Sequence, residues 1–242
     1  MIAITDYDTG NLRSVANALR RIGAEFTVTS DAAALRLADK VILPGVGEAS
    51  SAMAKLRERG LDAVIPTLTQ PVLGICIGMQ LMCLDSEEGG AGCLGIFPAH
   101  VMRLGGRGTT SGNGAGTAAG TATPGITLRA APPSNGGAKP AVRVFRGAEG
   151  VPGGENPLKI PHVGWNTVGR LRSPLFDGLG EGTYVYYVHS YAAQCCEATV
   201  AETDYGGAFS AALRRGNFFG TQFHPEKSGR AGERILRNFL NL

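Results

Sequence analysis

No apolar run in the 242 residues approaches the ~18–20 consecutive residues that a membrane span needs. The N-terminal MIAITDYDTG has no basic stretch and meets Asp6 after one short apolar run, so it does not read as a signal peptide. Excess charge is scarce as well. Lys and Arg number 23 against 20 Asp and Glu, and a formal +3 is too small to argue for a nucleic-acid partner. Cysteine is sparse and unpatterned: Cys76, Cys83, Cys93, Cys195 and Cys196 make an odd count without a CxxC spacing. The adjacent Cys195 and Cys196 suit neither an ordinary disulfide nor a zinc site. These absences predict a reducing, cytoplasmic setting with mostly buried thiols, no metal and no membrane.

What is present in excess is glycine, at 36 residues, about twice the usual ~7% share. It is unevenly placed. The stretch 105–158 holds 14 of them, with much Ala, Thr, Ser and Pro, and Phe145 is its only aromatic residue. Runs such as TTSGNGAGTAAGTATPG show neither a period of 2 nor one of 3.6. Too little apolar surface is available there to offset ordering entropy, so 105–158 is expected to be a flexible insertion. GAGTAA at 114–119 mimics the dinucleotide fingerprint GxGxxA, but no strand precedes it and no amphipathic helix follows. The same stretch carries five basic and two acidic residues, which accounts for the whole +3; the remainder balances.

The flanks alternate apolar strands with helical periodicity. MIAIT, KVILPG, PVLGIC, TYVYYVHSY and NFFGTQF read as strands. Leu12, Val15, Leu19 and Ile22 recur at helical spacing, and IGMQLMCL suits a helix directly behind a strand. A last helix is predicted from Ser228 as N-cap, with Ile235, Leu236, Phe239 and Leu240 on its apolar face. Hydrophobic content of 43% suits a globular core. The expectation is one α/β domain over 1–242, its open sheet mostly parallel with an antiparallel extension and flanked by helices, interrupted at 105–158.

Gly74-Ile75-Cys76-Ile77-Gly78 has the form GxCxG, the cysteine version of a nucleophile elbow. A sharp strand-to-helix turn holds such a nucleophile in a strained conformation, and flanking glycines leave room where a Cβ would clash. A thiol at a helix N-terminus is also favoured as thiolate. Phe223-His224-Pro225-Glu226 follows the strand NFFGTQF, which puts an imidazole and a carboxylate on one rigid turn, as a triad requires. His162 and His189 compete for the role of base, and His100 carries no signal. Leu43-Pro44-Gly45-Val46-Gly47 ends a strand in a Gly-flanked turn whose N–H groups suit a developing oxyanion.

In this order the motifs resemble the class I (triad) glutamine amidotransferases. The similarity is carried by DYDTGNLRSV at 6–15, LPGVGEAS at 43–50, QPVLGICIGMQLM at 70–82, IPHVGWNTV at 160–168, YYVHSYAA at 186–193 and GTQFHPEKSGRAGERILRNFL at 220–240. Within the class the chain is more similar to the glutaminase subunits of imidazole glycerol phosphate synthases, with Val163 where Met is common. The resemblance implies that Cys76 attacks the glutamine side-chain amide, with His224 as base and then acid and Glu226 orienting it. It implies an oxyanion hole at Ile77, Val46 and Gly47, and substrate contacts at Gly45, Gln80, Ser190 and Tyr191. It further implies a (β/α)8 cyclase subunit as partner, facing Asn11, Trp165, Tyr186 and Lys227 and using the ammonia to make imidazole glycerol phosphate and AICAR. No cofactor is implied. A glutaminase serving another synthase (pyridoxal phosphate or anthranilate), or a non-catalytic regulatory partner of the same fold, remain the alternatives.

Overall fold

The computed structural model describes residues 1–8, 11–105 and 158–242. The predicted insertion, apart from Gly105 and Leu158, and its GxGxxA-like stretch lie outside the described residues. In chain order the elements are β1 (Ile2–Thr5), α1 (Leu12–Arg21), β2 (Phe26–Thr29), α2 (Ala32–Leu37), β3 (Lys40–Gly45), α3 (Ala49–Glu58), α4 (Leu61–Val64), β4 (Val72–Cys76) and α5 (Ile77–Gln80). There follow β5 (Asp85–Ser86), β6 (Ala91–Gly92), β7 (His100–Arg103), β8 (His162–Val168), β9 (Thr183–His189), β10 (Tyr191–Ala193), β11 (Thr199–Asp204), β12 (Ala208–Arg215), β13 (Phe218–Thr221) and α6 (Gly229–Leu240).

The central sheet has the order β11-β12-β13-β4-β3-β1-β2. From β13 to β2 every neighbouring pair is parallel, and β12 and β11 extend it antiparallel at one edge. The mostly parallel sheet with an antiparallel extension is the predicted architecture, although β2, β11 and β12 are not among the strands read from the sequence. The inner parallel strands β1, β3 and β4 read as near-continuous apolar runs because both faces are covered, and β1 and β4 are buried along their whole length. Each fully buried Ile or Leu contributes ~1.5–3 kcal/mol. Val15, Ala16, Ala18 and Leu19 form the buried face of α1 at the predicted spacing.

Three expectations change in detail. The helix behind Cys76 is a single turn, because Met82 and Cys83 bond back to Met79 and Gln80 and tighten the chain before Leu84 turns away to Ala99. TYVYYVHSY does not join the central sheet. It breaks at Ser190 into β9, which pairs antiparallel with β8 as a separate ribbon, and β10, which pairs with β7. Ser228 sits at the start of α6 but does not cap it with its side chain. Its hydroxyl donates to the His224 carbonyl at 2.7 Å and accepts from the Tyr186 N–H at 3.0 Å.

Strand order positions the site. β3 and β13 flank β4, and Gly45 is the register partner of Cys76 while Thr221 pairs with Ile75. The turns that leave all three strands therefore meet at the sheet's carboxyl edge, where ligands of open α/β sheets bind.

Candidate active site

Cys76 ends β4 at φ 54°, ψ −109°, a positive-φ conformation that a non-glycine residue holds only when its surroundings enforce it. The enforcement comes from the glycines. A Cβ at Gly78 would lie 1.8 Å from the Leu43 carbonyl oxygen, and one at Gly74 would lie 2.3 Å from Met82 Cε and 2.7 Å from Met79 N. Only glycine at both positions lets the turn close against β3.

His224 leaves β13 and is fully buried. Its Nδ1 is 2.7 Å from Glu226 Oε1, and its Nε2 has no hydrogen-bond partner among the described residues. Burial pulls the imidazole down, but the facing Cys76 sulfur and the Glu226 carboxylate outweigh it, and the group is pushed up to about 10. Burial likewise pushes Glu226 up, and the hydrogen bond and charge of His224, with the Asn11 amide, bring it below its ordinary value. A buried base with one nitrogen tied to a carboxylate and the other free beside a thiol is equipped to move a proton to and from a leaving group.

His162 and His189 do not reach the thiol as bases. His162 Nδ1 lies 2.9 Å from His189 Nε2, and His189 Nδ1 lies 2.8 Å from the Tyr191 carbonyl, so both rings are spent. His100 pairs with Asp85 on the surface.

A cavity of about 400 Å³ opens beside the thiol, lined by Cys76 and Ile77, by Val46 and Gly47, and by Gln80, Ser190 and Tyr191. These predicted residues come together as one wall. Gly45 lies beneath them; a Cβ there would meet the Tyr7 hydroxyl at 2.7 Å and Gly78 N at 2.8 Å. Gln80 donates from Nε2 to the Tyr191 carbonyl (2.8 Å) and to Gln222 Oε1 (2.9 Å), and its buried Oε1 has no partner among the described residues.

The residues expected to face a partner divide. Trp165 and Tyr186 are a cross-strand pair of the β8–β9 ribbon with rings 5.8 Å apart, beside the exposed Val163, Val188 and Tyr184. Lys227 is exposed and borders the cavity beside Cys76. Asn11 turns inward, at φ 82°, and donates to Glu226 Oε1 at 2.5 Å.

Sequence reasoning missed two residues. Gln222 holds its Nε2 3.7 Å from Cys76 Sγ; its signal is period-two placement with His224 at the end of a strand. Glu88 lines the cavity, accepts from the Ala49 N–H, and is raised by burial; nothing in Ser86-Glu87-Glu88 separates it from a solvated acidic run. The expectation of mostly buried thiols holds for Cys76 and Cys83, whereas Cys93 and Cys196 are half-buried. Burial raises Cys83, Cys93 and Cys195, although Cys195 is exposed as a residue, and none of the five cysteines is in a disulfide.

The sequence model of the family described as glutamine amidotransferase class-I matches residues 3–242. The chain is 46% identical over 241 residues to the imidazole glycerol phosphate synthase subunit HisH of Bacteroides fragilis, covering all of this chain and 99% of that relative. It is 37% identical over 243 residues, with the same coverage, to the subunit of that name from Yersinia pseudotuberculosis. Among solved structures, a glutamine amidotransferase superposes with a TM-score of 0.61 at 16% identity, over 100% of this chain and 98% of the other. PurLQS from Thermotoga maritima superposes at 0.58 and 15% identity, over 99% and 97%. The cysteine elbow, its buried His–Glu partner and a family match across nearly the whole chain lead to one conclusion: this protein belongs to the class I glutamine amidotransferases.

Proposed function

We propose that the chain is the glutaminase subunit of an imidazole glycerol phosphate synthase, hydrolysing L-glutamine to glutamate and ammonia for a partner cyclase. The observation that carries this reading is the free Nε2 of His224 beside Cys76, at the end of a cavity of about 400 Å³, a size typical of small-molecule sites. The names of relatives at 37–46% identity over the full chain give the reading its pathway.

His224 Nε2 takes the Cys76 thiol proton as Sγ attacks the side-chain amide carbon of glutamine, and the carbonyl electron pair moves onto oxygen. The N–H of Ile77 at the start of the one-turn helix, with those of Val46 and Gly47, suits that oxyanion. His224 delivers its Nε2 proton to the leaving nitrogen as the C–N bond breaks, releasing ammonia and leaving a glutamyl thioester. A water that gives its proton back to His224 then hydrolyses the thioester to glutamate. Glu226, fixed to His224 Nδ1, holds the ring in the orientation that points Nε2 at the chemistry. The free Gln80 Oε1 and the Glu88 carboxylate suit the α-ammonium of glutamine, and the backbone at Ser190–Tyr191 suits the rest of its amino-acid end.

A partner is supported by the outer face of the β8–β9 ribbon, where Val163, Trp165, Tyr184, Tyr186 and Val188 present an apolar surface. Tyr186 joins that face to the triad: its carbonyl accepts from His224 N at 2.9 Å and its N–H donates to Ser228 Oγ. Within the described residues no helix is long and apolar enough to cross a membrane. A cytoplasmic location is proposed with the pathway.

The experiment is Cys76→Ala in the reconstituted synthase. Glutamine-dependent product formation is expected to vanish while synthesis from added ammonium persists. Loss of both activities would contradict a nucleophilic role for Cys76, and recovery of a different synthase by pull-down would contradict the choice of partner.

A further inference from the structure

We propose that His162 and His189 are positioning residues whose two N–H donors, aligned in one direction, hold the Tyr191 carbonyl and Gln80 in the arrangement that receives the amino-acid end of glutamine. This rests on the glutaminase reading and deepens it. No sequence feature marked either histidine for such a role.

The proton on every nitrogen follows from the partners. The Tyr191 carbonyl can only accept, so His189 Nδ1, 2.8 Å away, carries the hydrogen. Burial pulls His189 down to about 4 and His162 to about 3, so both rings are neutral and each has a single N–H. His189 Nε2 is therefore an acceptor, and the donor facing it at 2.9 Å must be His162 Nδ1. His162 Nε2 then accepts, at 3.4 Å, from Asn166 Nδ2. Asn166 is held in that sense because Nδ2 also donates to the Asp204 carbonyl (3.1 Å) while Oδ1 accepts from Thr167 N (2.8 Å). One tautomer of each ring satisfies the whole chain.

Packing keeps the rings in place. His162 is fully buried and lies between Tyr205, at 3.9 Å and 12°, and Tyr187, at 4.6 Å and 19°. His189 borders the cavity, yet neither of its nitrogens is left for a substrate or for the thiol. It therefore acts through what it holds.

What it holds is the Tyr191 carbonyl, whose two lone pairs receive His189 Nδ1 and Gln80 Nε2, each at 2.8 Å. Gln80 gives its second hydrogen to Gln222 Oε1, and Gln222 Nε2 in turn faces Cys76 Sγ. The amide orientation of Gln80 is thus set from both sides. As a result the atom left unpaired among the described residues is the acceptor Oε1, not the NH2 group, of a residue that lines the cavity. Removing the His189 donor releases the Tyr191 carbonyl and with it the bias that keeps Gln80 in this sense.

Asparagine and glutamine variants separate positioning from packing, because the Asn amide nitrogen overlays histidine Nδ1 and the Gln nitrogen overlays Nε2. The readout is inactivation of the full chain by 6-diazo-5-oxo-L-norleucine, which needs the amino-acid subsite, beside alkylation of Cys76 by iodoacetamide, which does not. His189→Asn keeps the donor to Tyr191 and is expected to retain kinact/KI within about twofold. His189→Gln loses it and is expected to fall about tenfold, mainly through KI, the loss of one buried hydrogen bond. Iodoacetamide rates are expected to stay level in both. His162→Asn and His162→Gln should repeat the pattern one ring further out, and thermal melts confirm that the variants compared are folded. Equal kinact/KI for the Asn and Gln variants, or a parallel fall with iodoacetamide, would overturn the pair's role. Failure of the norleucine to modify Cys76 in the unsubstituted chain would instead overturn the glutaminase reading beneath it.

Discussion

Asn11 Nδ2 and His224 Nδ1 share one carboxylate oxygen: Glu226 Oε1 receives the first at 2.5 Å and the second at 2.7 Å. Asn11 stands at the start of α1, more than two hundred residues from the triad turn, with a left-handed backbone that asparagine tolerates better than most residues. The other oxygen, Glu226 Oε2, is buried without a partner among the described residues. The carboxylate is thus aimed by two donors on one side, and the imidazole follows it. Asn11→Ala is expected to lower kcat for glutamine hydrolysis about tenfold, the scale of one hydrogen bond to a charged group, with KM little changed. Steady-state kinetics check this, and a rise in KM at constant kcat would assign Asn11 to binding instead.

Glu226→Gln removes a charge that holds the His224 proton. The imidazole, pushed up to about 10 in the native protein, is expected to titrate at lower pH in the variant, as read by NMR of the His224 ring. The sign for stability follows from linkage. A value raised above the ordinary 6.5 gives stabilisation that is complete below pH 6.5, declines as pH rises and is gone above about pH 10. Denaturant unfolding across that window should show the native chain losing more stability than Glu226→Gln.

Gly232 in α6 seats that helix on the triad turn, since a Cβ there would lie 1.8 Å from the Pro225 carbonyl oxygen. Gly232→Ala is expected to cost about 1–3 kcal/mol through overpacking and to reduce activity beyond the loss of folded protein, because relief of the clash displaces His224 and Glu226 together. Urea midpoints and kcat, measured on the same samples, test this. Full activity per folded molecule would show that the turn does not move.

Much of the scaffold was legible because the inner parallel strands are short and mostly apolar, and because α1 and α6 keep helical spacing; the edge strand β2, FTVT, lacks that signal. The proposed triad was legible because each member sits inside a local motif: Cys76 in its elbow, His224 and Glu226 around Pro225. Gln222, Glu88 and Asn11 were not, since their roles depend on contacts between residues far apart in the chain. The pairing of His162 with His189 was hidden for the same reason: it exists only in the register of β8 against β9. Ser228 misled because a serine before an amphipathic helix usually caps it, whereas here its hydroxyl bridges His224 and Tyr186.

The ends of the stretch read as an insertion lie side by side: a Cβ at Gly105 would be 3.6 Å from Leu158 Cδ2. A short Gly/Ser linker therefore suffices to replace residues 106–157. The shortened chain is expected to keep its melting temperature within a few degrees, since closing a long loop costs little more than closing a short one (about 0.6 kcal/mol per doubling), and to keep its glutaminase activity. Loss of activity with an unchanged melting temperature would give the segment a functional role.

The central claim is that Cys76, alone among five free thiols, is the nucleophile for a glutamine side chain. The most direct measurement is to treat the full chain with 6-diazo-5-oxo-L-norleucine and locate the adduct by peptide mass spectrometry. A single adduct on Cys76, prevented by excess glutamine and absent in His224→Ala, is the expected result. Modification of Cys83 or Cys195 with Cys76 untouched would contradict it.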